Sequence, residues 1–473
     1  MEKVLVKKGA LAKPLDGNHG GIHPKASDYV DEGIPFIMAS DLNNGEVNFK
    51  SCKFIEPSLA SNLKKGFACE GDILLSHKGT VGRTALVSNL ETEFIVLTPQ
   101  VTYYRVLDKS IINPVYLKVY FDSPFFQSVF NQWAGAGSTR AYLGITAQLK
   151  LPIILPPIKI QNFIAEHAQA MNQKIRLNNQ INETLEGIAQ ATFKSWFIDF
   201  DPVKAKMAIL DVGGDGEQAN LAAMRVISSK SQDELESFKE AKPEQYAKLY
   251  ETAKLFPSEM KDNGLGEVPK GWNLKPLDTI AHYQNGLALQ KFRPKENEGS
   301  LPVLKIAQLR QGFTEETNDE RASENIKSSC IVNDGDVIFS WSATLMVKIW
   351  AGGKAALNQH LFKVTSDHFP KWFYYYFTKC HLDRFIAIAE SKAVTMGHIK
   401  REHLSEAMCA TPPSETLQKL GEVISPLLNK AVAVQLQSST LTELRDTLLP
   451  RLLSGEIELP IDEECELDGV ANG

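Results

Sequence analysis

The order of apolar and polar residues divides this chain into stretches of two kinds. Short apolar runs bounded by Gly, Pro and Asp mark strands. They include Ile34-Pro35-Phe36-Ile37 after Gly33, Ile73-Leu74-Leu75 after Gly71-Asp72, Leu301-Pro302-Val303-Leu304 after Ser300, and Val337-Ile338-Phe339 after Gly335-Asp336. Two other stretches alternate spacings of three and four. The first runs Ile164, Ala168, Met171, Ile175, Asn178, Asn182, Leu185, Ala189, Thr192, Trp196. The second runs Leu417, Leu420, Ile424, Leu427, Ala431, Val434, Ser438, Leu441, Arg445, Leu448. A period near 3.5 held over four or more heptads is a coiled-coil seam, in which polar Asn178 and Asn182 would set register at some cost in stability. Pro156-Pro157 and Pro412-Pro413 suit the junction from strand to helix, where proline is tolerated. Pro426 lies inside the second helix and predicts a kink. At about 35–40 residues, each helix is far longer than the globular mean of about 11–12.

The two halves repeat each other. Gly33-Ile34-Pro35-Phe36-Ile37 matches Ser300-Leu301-Pro302-Val303-Leu304, and Gly71-Asp72-Ile73-Leu74-Leu75-Ser76 matches Gly335-Asp336-Val337-Ile338-Phe339-Ser340. Thr98-Pro99-Gln100 matches Leu357-Asn358-Gln359, and the two Pro-Pro pairs match each other. These landmarks keep one order and a slowly drifting offset, as a tandem duplication requires. The expected fold is α+β: two mixed α/β globular domains in tandem, each followed by a long helix. The two helices pair most simply as an antiparallel coiled coil of roughly 50–60 Å, with the domains at its ends. That separation exceeds one turn of DNA, about 34 Å, so two separate half-sites could be read. The boundaries drawn are a first domain at 1–155, a first helix at 156–200 and a linker at 201–264, then a second domain at 265–411, a second helix at 412–455 and an acidic tail at 456–473. The linker holds Gly213-Gly214-Asp215-Gly216 and Ser228-Ser229-Lys230-Ser231 and predicts short helices near 217–227 and 232–255.

Composition narrows the class without naming it. Hydrophobic residues are 43% and charged residues 23% of the 473, an ordinary globular mixture. No apolar run approaches a membrane span, and the first eight residues lack the core of a signal peptide. The six cysteines, Cys52, Cys69, Cys330, Cys380, Cys409 and Cys465, are scattered and read as reduced thiols of a cytoplasmic protein. The net charge of −6 argues at first against nucleic acid, but its distribution changes that. Residues 1–150 carry 16 Lys and Arg against 14 Asp and Glu, and residues 265–410 carry 18 against 16. The tail carries seven acids and no base. A DNA-binding face would therefore come from local clusters, not bulk charge.

Three further stretches carry a family likeness: Phe193-Lys194-Ser195-Trp196-Phe197-Ile198-Asp199-Phe200-Asp201-Pro202-Val203 closing the first helix, Gly266-Glu267-Val268-Pro269-Lys270-Gly271-Trp272 leading into the second domain, and Leu448-Leu449-Pro450-Arg451-Leu452-Leu453-Ser454-Gly455-Glu456-Ile457 closing the second helix. With the duplication, they make the whole chain resemble the specificity subunit of type I restriction-modification systems. The first domain departs from the pattern, since nothing in it matches the Pro-Lys-Gly-Trp lead-in. The resemblance implies two target-recognition domains, each reading one half of a split, asymmetric DNA target, with the helices as spacer. It implies a non-catalytic subunit that holds two modification subunits, adenine methyltransferases that bind S-adenosylmethionine, to which restriction subunits add. It implies no cofactor in this chain.

The residues agree with a non-catalytic role. An adenine methyltransferase needs an Asn/Asp-Pro-Pro-Tyr/Phe loop to hold the flipped base, and neither Leu155-Pro156-Pro157-Ile158 nor Thr411-Pro412-Pro413-Ser414 offers those flanks. A translocase's phosphate loop is also missing from the sequence. His19 and His23 lie four apart in a glycine-rich loop without a third ligand, which does not make a metal site. Two other readings stay open: a stand-alone DNA methyltransferase or nuclease, and a coiled-coil adaptor with no DNA role.

Residues able to read DNA must reach phosphates or base edges. In the first half these are Asn18, His19, His23 and Lys25 in a Gly-rich loop, Lys78, Thr80 and Arg83 after the Gly71-Asp72 strand, and Ser138, Thr139 and Arg140 before Tyr142. In the second half they are Gln284 and Asn285, Trp341, Ser342 and Thr344, and Lys392, Thr395 and His398. Trp341 occupies the place of His77 and reads either as core or as a ring that stacks on DNA. Phe193, Trp196, Phe197 and Phe200 form an aromatic cluster that suits either partner binding or packing of the helix end.

Overall fold

Each Gly-Asp turn builds the same corner. Gly71 and Gly335 lie in left-handed backbone, at φ 85° and 86°, where a side chain is disfavoured. The aspartate then folds back on its own turn: Asp72 Oδ2 accepts the Cys69 N–H at 2.8 Å, and Asp336 Oδ2 accepts the Asn333 N–H at 2.8 Å. The strands that follow, Ile73–Ser76 and Val337–Ser340, are buried at every position. They are apolar throughout because each face meets a different core. Ile73 and Leu75 face one cluster and Leu74 another, and Val337 and Phe339 part from Ile338 in the same way.

These features come from a computed structural model that describes all residues except 21–22, 44, 136–140, 265, 315–319, 392–396, 454–455 and 457–473, and the side chains at 449 and 453. The chain forms two compact units, Met1–Lys174 with Leu441–Gly473, and Ile175–Thr440.

In the first unit, the buried strand is central to a six-stranded sheet, flanked by Val101–Tyr104 and Thr84–Leu86. The helices Pro114–Asp122 and Pro124–Ala134 bury Tyr116, Tyr120, Phe121, Phe126 and Phe130 in the cluster that holds Ile73 and Leu75. A five-stranded sheet pairs Ile95–Leu97 in parallel with Ile34–Ile37, Val96 opposite Phe36. The second unit repeats this frame with two four-stranded sheets. Val337–Ser340 lies between Leu361–Thr365 and Met346–Ile349, and Ala355–Leu357 runs parallel to Ser300–Leu304, with Val303 opposite Ala356.

The repeat corrects one register. The Thr98 N–H donates to Ile37 O at 2.9 Å, and the Asn358 N–H donates to Leu304 O at 3.1 Å. Thr98 is therefore the counterpart of Asn358, one residue beyond the Leu357 expected from the local sequence. Both segments are polar turns after an apolar strand, so composition alone does not fix the step. Met1 donates its amino group to Leu151 O at 2.9 Å, as Leu277 donates its N–H to Ala407 O at 2.9 Å. In the second unit the preceding strand, Asn273–Pro276, pairs with Met408–Thr411.

The long helices run over Ile158–Phe197 and Ser414–Leu453. Every expected seam residue is buried or half-buried, while Leu177 and Ile188, off the seam, are exposed. Within the second unit the helices pair antiparallel. Asn178 Nδ2 donates to Gln437 Oε1 at 3.0 Å, and Asn182 Nδ2 donates to Gln435 Oε1 at 3.2 Å. Within the first unit, Arg445 donates to Asn172 Oδ1 at 2.8 Å. The helix continues through Pro426, an exposed residue with no N–H to give.

Between the repeats, four helices stand where two are expected: Asp201–Asp211, Gly216–Ser228, Gln232–Ala241 and Pro243–Lys254. Ala223, Met224, Leu235 and Ala253 form a small core of their own. Lys206 is buried and donates to Phe256 O at 2.6 Å; burial pulls its ammonium down to about 8. No described helix is long and apolar enough to cross a membrane.

Candidate nucleic-acid interface

The loops singled out by sequence leave the two frames at equivalent points. In the first unit the chain turns out of its central strand at His77 and meets the segment that returns toward the long helix. The Leu143 N–H donates to His77 O at 3.0 Å, the Gly79 N–H donates to Ala141 O at 3.1 Å, and Lys78 bridges Tyr142. In the second unit the Ile399 N–H donates to Trp341 O at 3.1 Å, the Ala343 N–H donates to Gly397 O at 3.0 Å, and Ser342 bridges His398. The junction is thus reproduced bond for bond, using backbone groups alone.

The side chains at the junction differ. Lys78, Thr80 and Arg83 are exposed, and Arg83 donates to Ala39 O at 3.2 Å, which holds one end of its guanidinium. His77 is buried at 1% exposure with its ring 5.7 Å from that of Tyr142, which is 54% exposed. Burial pulls the His77 imidazole below its ordinary value; Asp16 opposes the change, and the charges of His19 and Lys78 add to it. In the second unit, half-buried Trp341 packs against Phe362 at 5.8 Å and His360 at 6.0 Å, with His398 at 6.3 Å and nearly perpendicular. Ser342 is buried, its Oγ 3.1 Å from His360 Nδ1, while exposed Thr344 accepts from Arg310 at 2.8 Å. Trp341 is therefore half core and half surface, with the rings of His360 and His398 beside it.

The Gly-rich loop is only partly available. Gly17 presses on the backbone at Leu97 and Thr98, and Gly286 presses in the same way at Leu357 and Asn358, so neither position has space for a Cβ. Asn18 is buried and spent on backbone: it donates to Lys65 O and accepts the Lys64 N–H at 3.1 Å. This role depends on residues far along the chain, which local sequence does not reveal. Asp16 is buried beside Lys65 and has His19 Nε2 at 2.7 Å. Burial alone would raise its carboxyl, but hydrogen bonds from Lys65 and His19 outweigh that and hold it below the usual range. His19 and Lys25 are exposed, whereas His23 leans on Phe36 with ring centres 5.6 Å apart, its imidazole pulled down by burial. Gln284 is half-buried and Asn285 exposed at the end of the strand paired with Leu361–Thr365. Ser138, Thr139, Arg140, Lys392 and Thr395 lie outside the described residues.

The aromatic cluster requires a correction. Phe193, Trp196, Phe197 and Phe200 are buried in the main core of the second unit, not displayed to a partner. Phe193 meets Phe377 edge-on at 4.9 Å, Trp196 meets Phe256 at 5.3 Å, and Phe197 and Phe200 meet Trp272 at 5.5 and 6.0 Å. The residues that bury them come from distant segments, and an aromatic-rich helix end looks the same in sequence whether it is covered by its own chain or by another. Sequence reasoning passed over three residues at the junctions, Tyr142, His360 and Arg310. Tyr142 was visible as an aromatic after a Gly-rich polar loop. His360 and Arg310 gave no local signal.

Residues 15–187 and 269–439 match the family model of the type I restriction modification DNA specificity domain. The chain is similar to the type I restriction enzyme HindI specificity subunit of Haemophilus influenzae, 30% identical over 443 residues that cover 90% of this chain and 94% of that one. It is also similar to the type I restriction enzyme MjaIX specificity subunit of Methanocaldococcus jannaschii, 25% identical over 454 residues, 93% of this chain and 91% of the other. Among solved structures, the S subunit of a type I restriction-modification system from M. genitalium aligns with a TM-score of 0.46 at 13% identity, over 93% of each chain.

Proposed function

This chain belongs to the type I restriction-modification DNA specificity family, as a non-catalytic DNA-recognition subunit, and from that premise we propose how its parts divide the work. Each globular half, residues 1–155 and 265–411, reads one half of a split target. The paired helices, 156–200 and 412–455, act as the spacer and as the scaffold for two modification subunits. S-adenosylmethionine belongs on those subunits, with restriction subunits added to the assembly, in the cytoplasm. The segment 201–264 links the two repeats.

The observation that carries this reading is the junction: one backbone frame used twice, with different side chains mounted on it. Two unlike half-sites need two unlike reading surfaces on one scaffold. In the first half, Lys78 and Arg83 supply phosphate or guanine contacts, and exposed His19 and Lys25 add polar groups. In the second, Gln284, Asn285, Thr344 and His398 supply the surface, with half-buried Trp341 against the ring of His398. The test is a genome-wide map of methylated adenine in cells with and without this gene. A split motif that appears only with the gene is expected; an identical methylation map in both strains overturns the reading.

A further inference from the structure

We infer that the ring pair at each junction, His77 with Tyr142 and Trp341 with His398, determines base preference within its half-site, Tyr142 and His398 touching DNA and His77 and Trp341 positioning them. The inference rests on the DNA-reading function above and names the residues that discriminate.

Three observations support it. First, backbone bonds hold both junctions, so no side chain there is needed to make the frame. Second, the order of ring types is exchanged. The first junction has an imidazole inside and a phenol outside; the second has an indole inside and an imidazole outside. Third, the outer rings face solvent beside polar groups. Tyr142 is 54% exposed and bridges Lys78, and exposed His398 bridges Ser342. An exposed phenol beside a cation suits contact with a base edge through its ring and hydroxyl, with the cation on a phosphate. An imidazole offers instead a hydrogen-bonding edge.

The inner rings act differently. His77, at 1% exposure, is out of reach of a ligand. What it can do is fix the tilt of Tyr142, 46° between planes, whereas Trp341 and His398 stand at 80°. Changing the inner ring therefore re-aims the outer one without disturbing the backbone.

The test maps adenine methylation in cells carrying the full chain with its modification subunits, as wild type, Tyr142→Ala, His398→Ala, and the milder Tyr142→Trp and His398→Asn. Tyr142→Ala is expected to lower discrimination about tenfold at a position in one half of the motif, leaving the other half intact, and His398→Ala to do so in the opposite half. The milder variants should keep the split motif with altered preference in the same half. His77→Gln should shift preference in the Tyr142 half without lowering overall occupancy, a split that a merely structural role would not produce. An unchanged motif with uniformly weaker methylation, relaxation of both halves by one variant, or loss of methylation in all four outer-ring variants overturns the inference. Failure of the wild-type chain to give any split motif would instead overturn the function on which it rests.

Discussion

The two junctions also differ in the residue that bends them. Gly79 turns the first loop at φ 77°, and Ala343 turns the second at φ 56°. Both are left-handed, and only glycine adopts that region without steric cost. The second loop holds this conformation although its side chain opposes it. The bond from the residue's own N–H to Gly397 O, matched by that from Gly79 to Ala141 O, is the common constraint. The comparison teaches that the frame dictates the backbone and tolerates local disagreement in side chains, while the polar groups mounted on it vary.

The largest expected effects test whether the frames are equivalent. Leu75 and Phe339 occupy the same place in the two central strands, both at 0% exposure. Leu75→Ala should cost about 2–5 kcal/mol and Phe339→Ala about 3–5 kcal/mol, each by lost burial plus the cavity left behind. Hydrogen exchange followed by mass spectrometry should show each loss of protection in its own unit; equal loss in both units from one variant breaks the comparison.

Next in size is the electrostatic contrast. The first junction displays Lys78 and Arg83, whereas the corresponding bridge of the second joins buried Ser342 to exposed His398. Lys78→Ala and Arg83→Ala should weaken binding of the assembled complex to its target and lower the salt slope of log K by up to about 1 for each lost phosphate contact. Equilibrium titrations over a range of salt concentrations measure this; unchanged slope and affinity in both variants remove the loop from the interface.

A smaller difference lies in pH dependence. His77 is held below its ordinary value of 6.5 by burial, so the folded state binds its proton less readily than the unfolded state does. The stability it supports is present above that ordinary value and is lost as pH falls from there toward the folded value. His23 in the same unit acts in the same direction. Unfolding followed from pH 7.5 to 5 should show acid destabilisation of the first unit that His77→Gln reduces. Trp341, at the matching place, has nothing to titrate. The smallest effect is expected at the bends: Ala343→Gly should stabilise the second unit by up to about 1 kcal/mol, and Gly79→Ala should destabilise the first by about as much. Opposite signs in chemical denaturation sharpen the comparison, and equal signs break it.

Much of the architecture was legible because its signals are local and repeat. The Gly-Asp turns, strands buried on two faces and heptad seams each need only a few neighbouring residues to be recognised. The Thr98 register was one residue off because a polar turn has no periodicity to anchor it. The site was less legible. Asn18 looked like a reading residue because its partners, Lys64 and Lys65, come from a distant segment. Phe200 suited a partner surface as well as packing because Trp272 covers it from beyond the connecting helices. Tyr142 and His398 acquire meaning only when a remote strand end is laid beside them.

The amide pairs of the helical seam, Asn178 with Gln437 and Asn182 with Gln435, carry a further consequence. They work as a detent: sliding one helix past the other by a single residue would turn these amides against apolar neighbours and leave their polar groups unmatched. Lengthening only one helix would force the same mismatch. A longer or shorter helix pair would therefore have to change by whole heptads in both helices together, so its length can be rescaled in steps but not stretched.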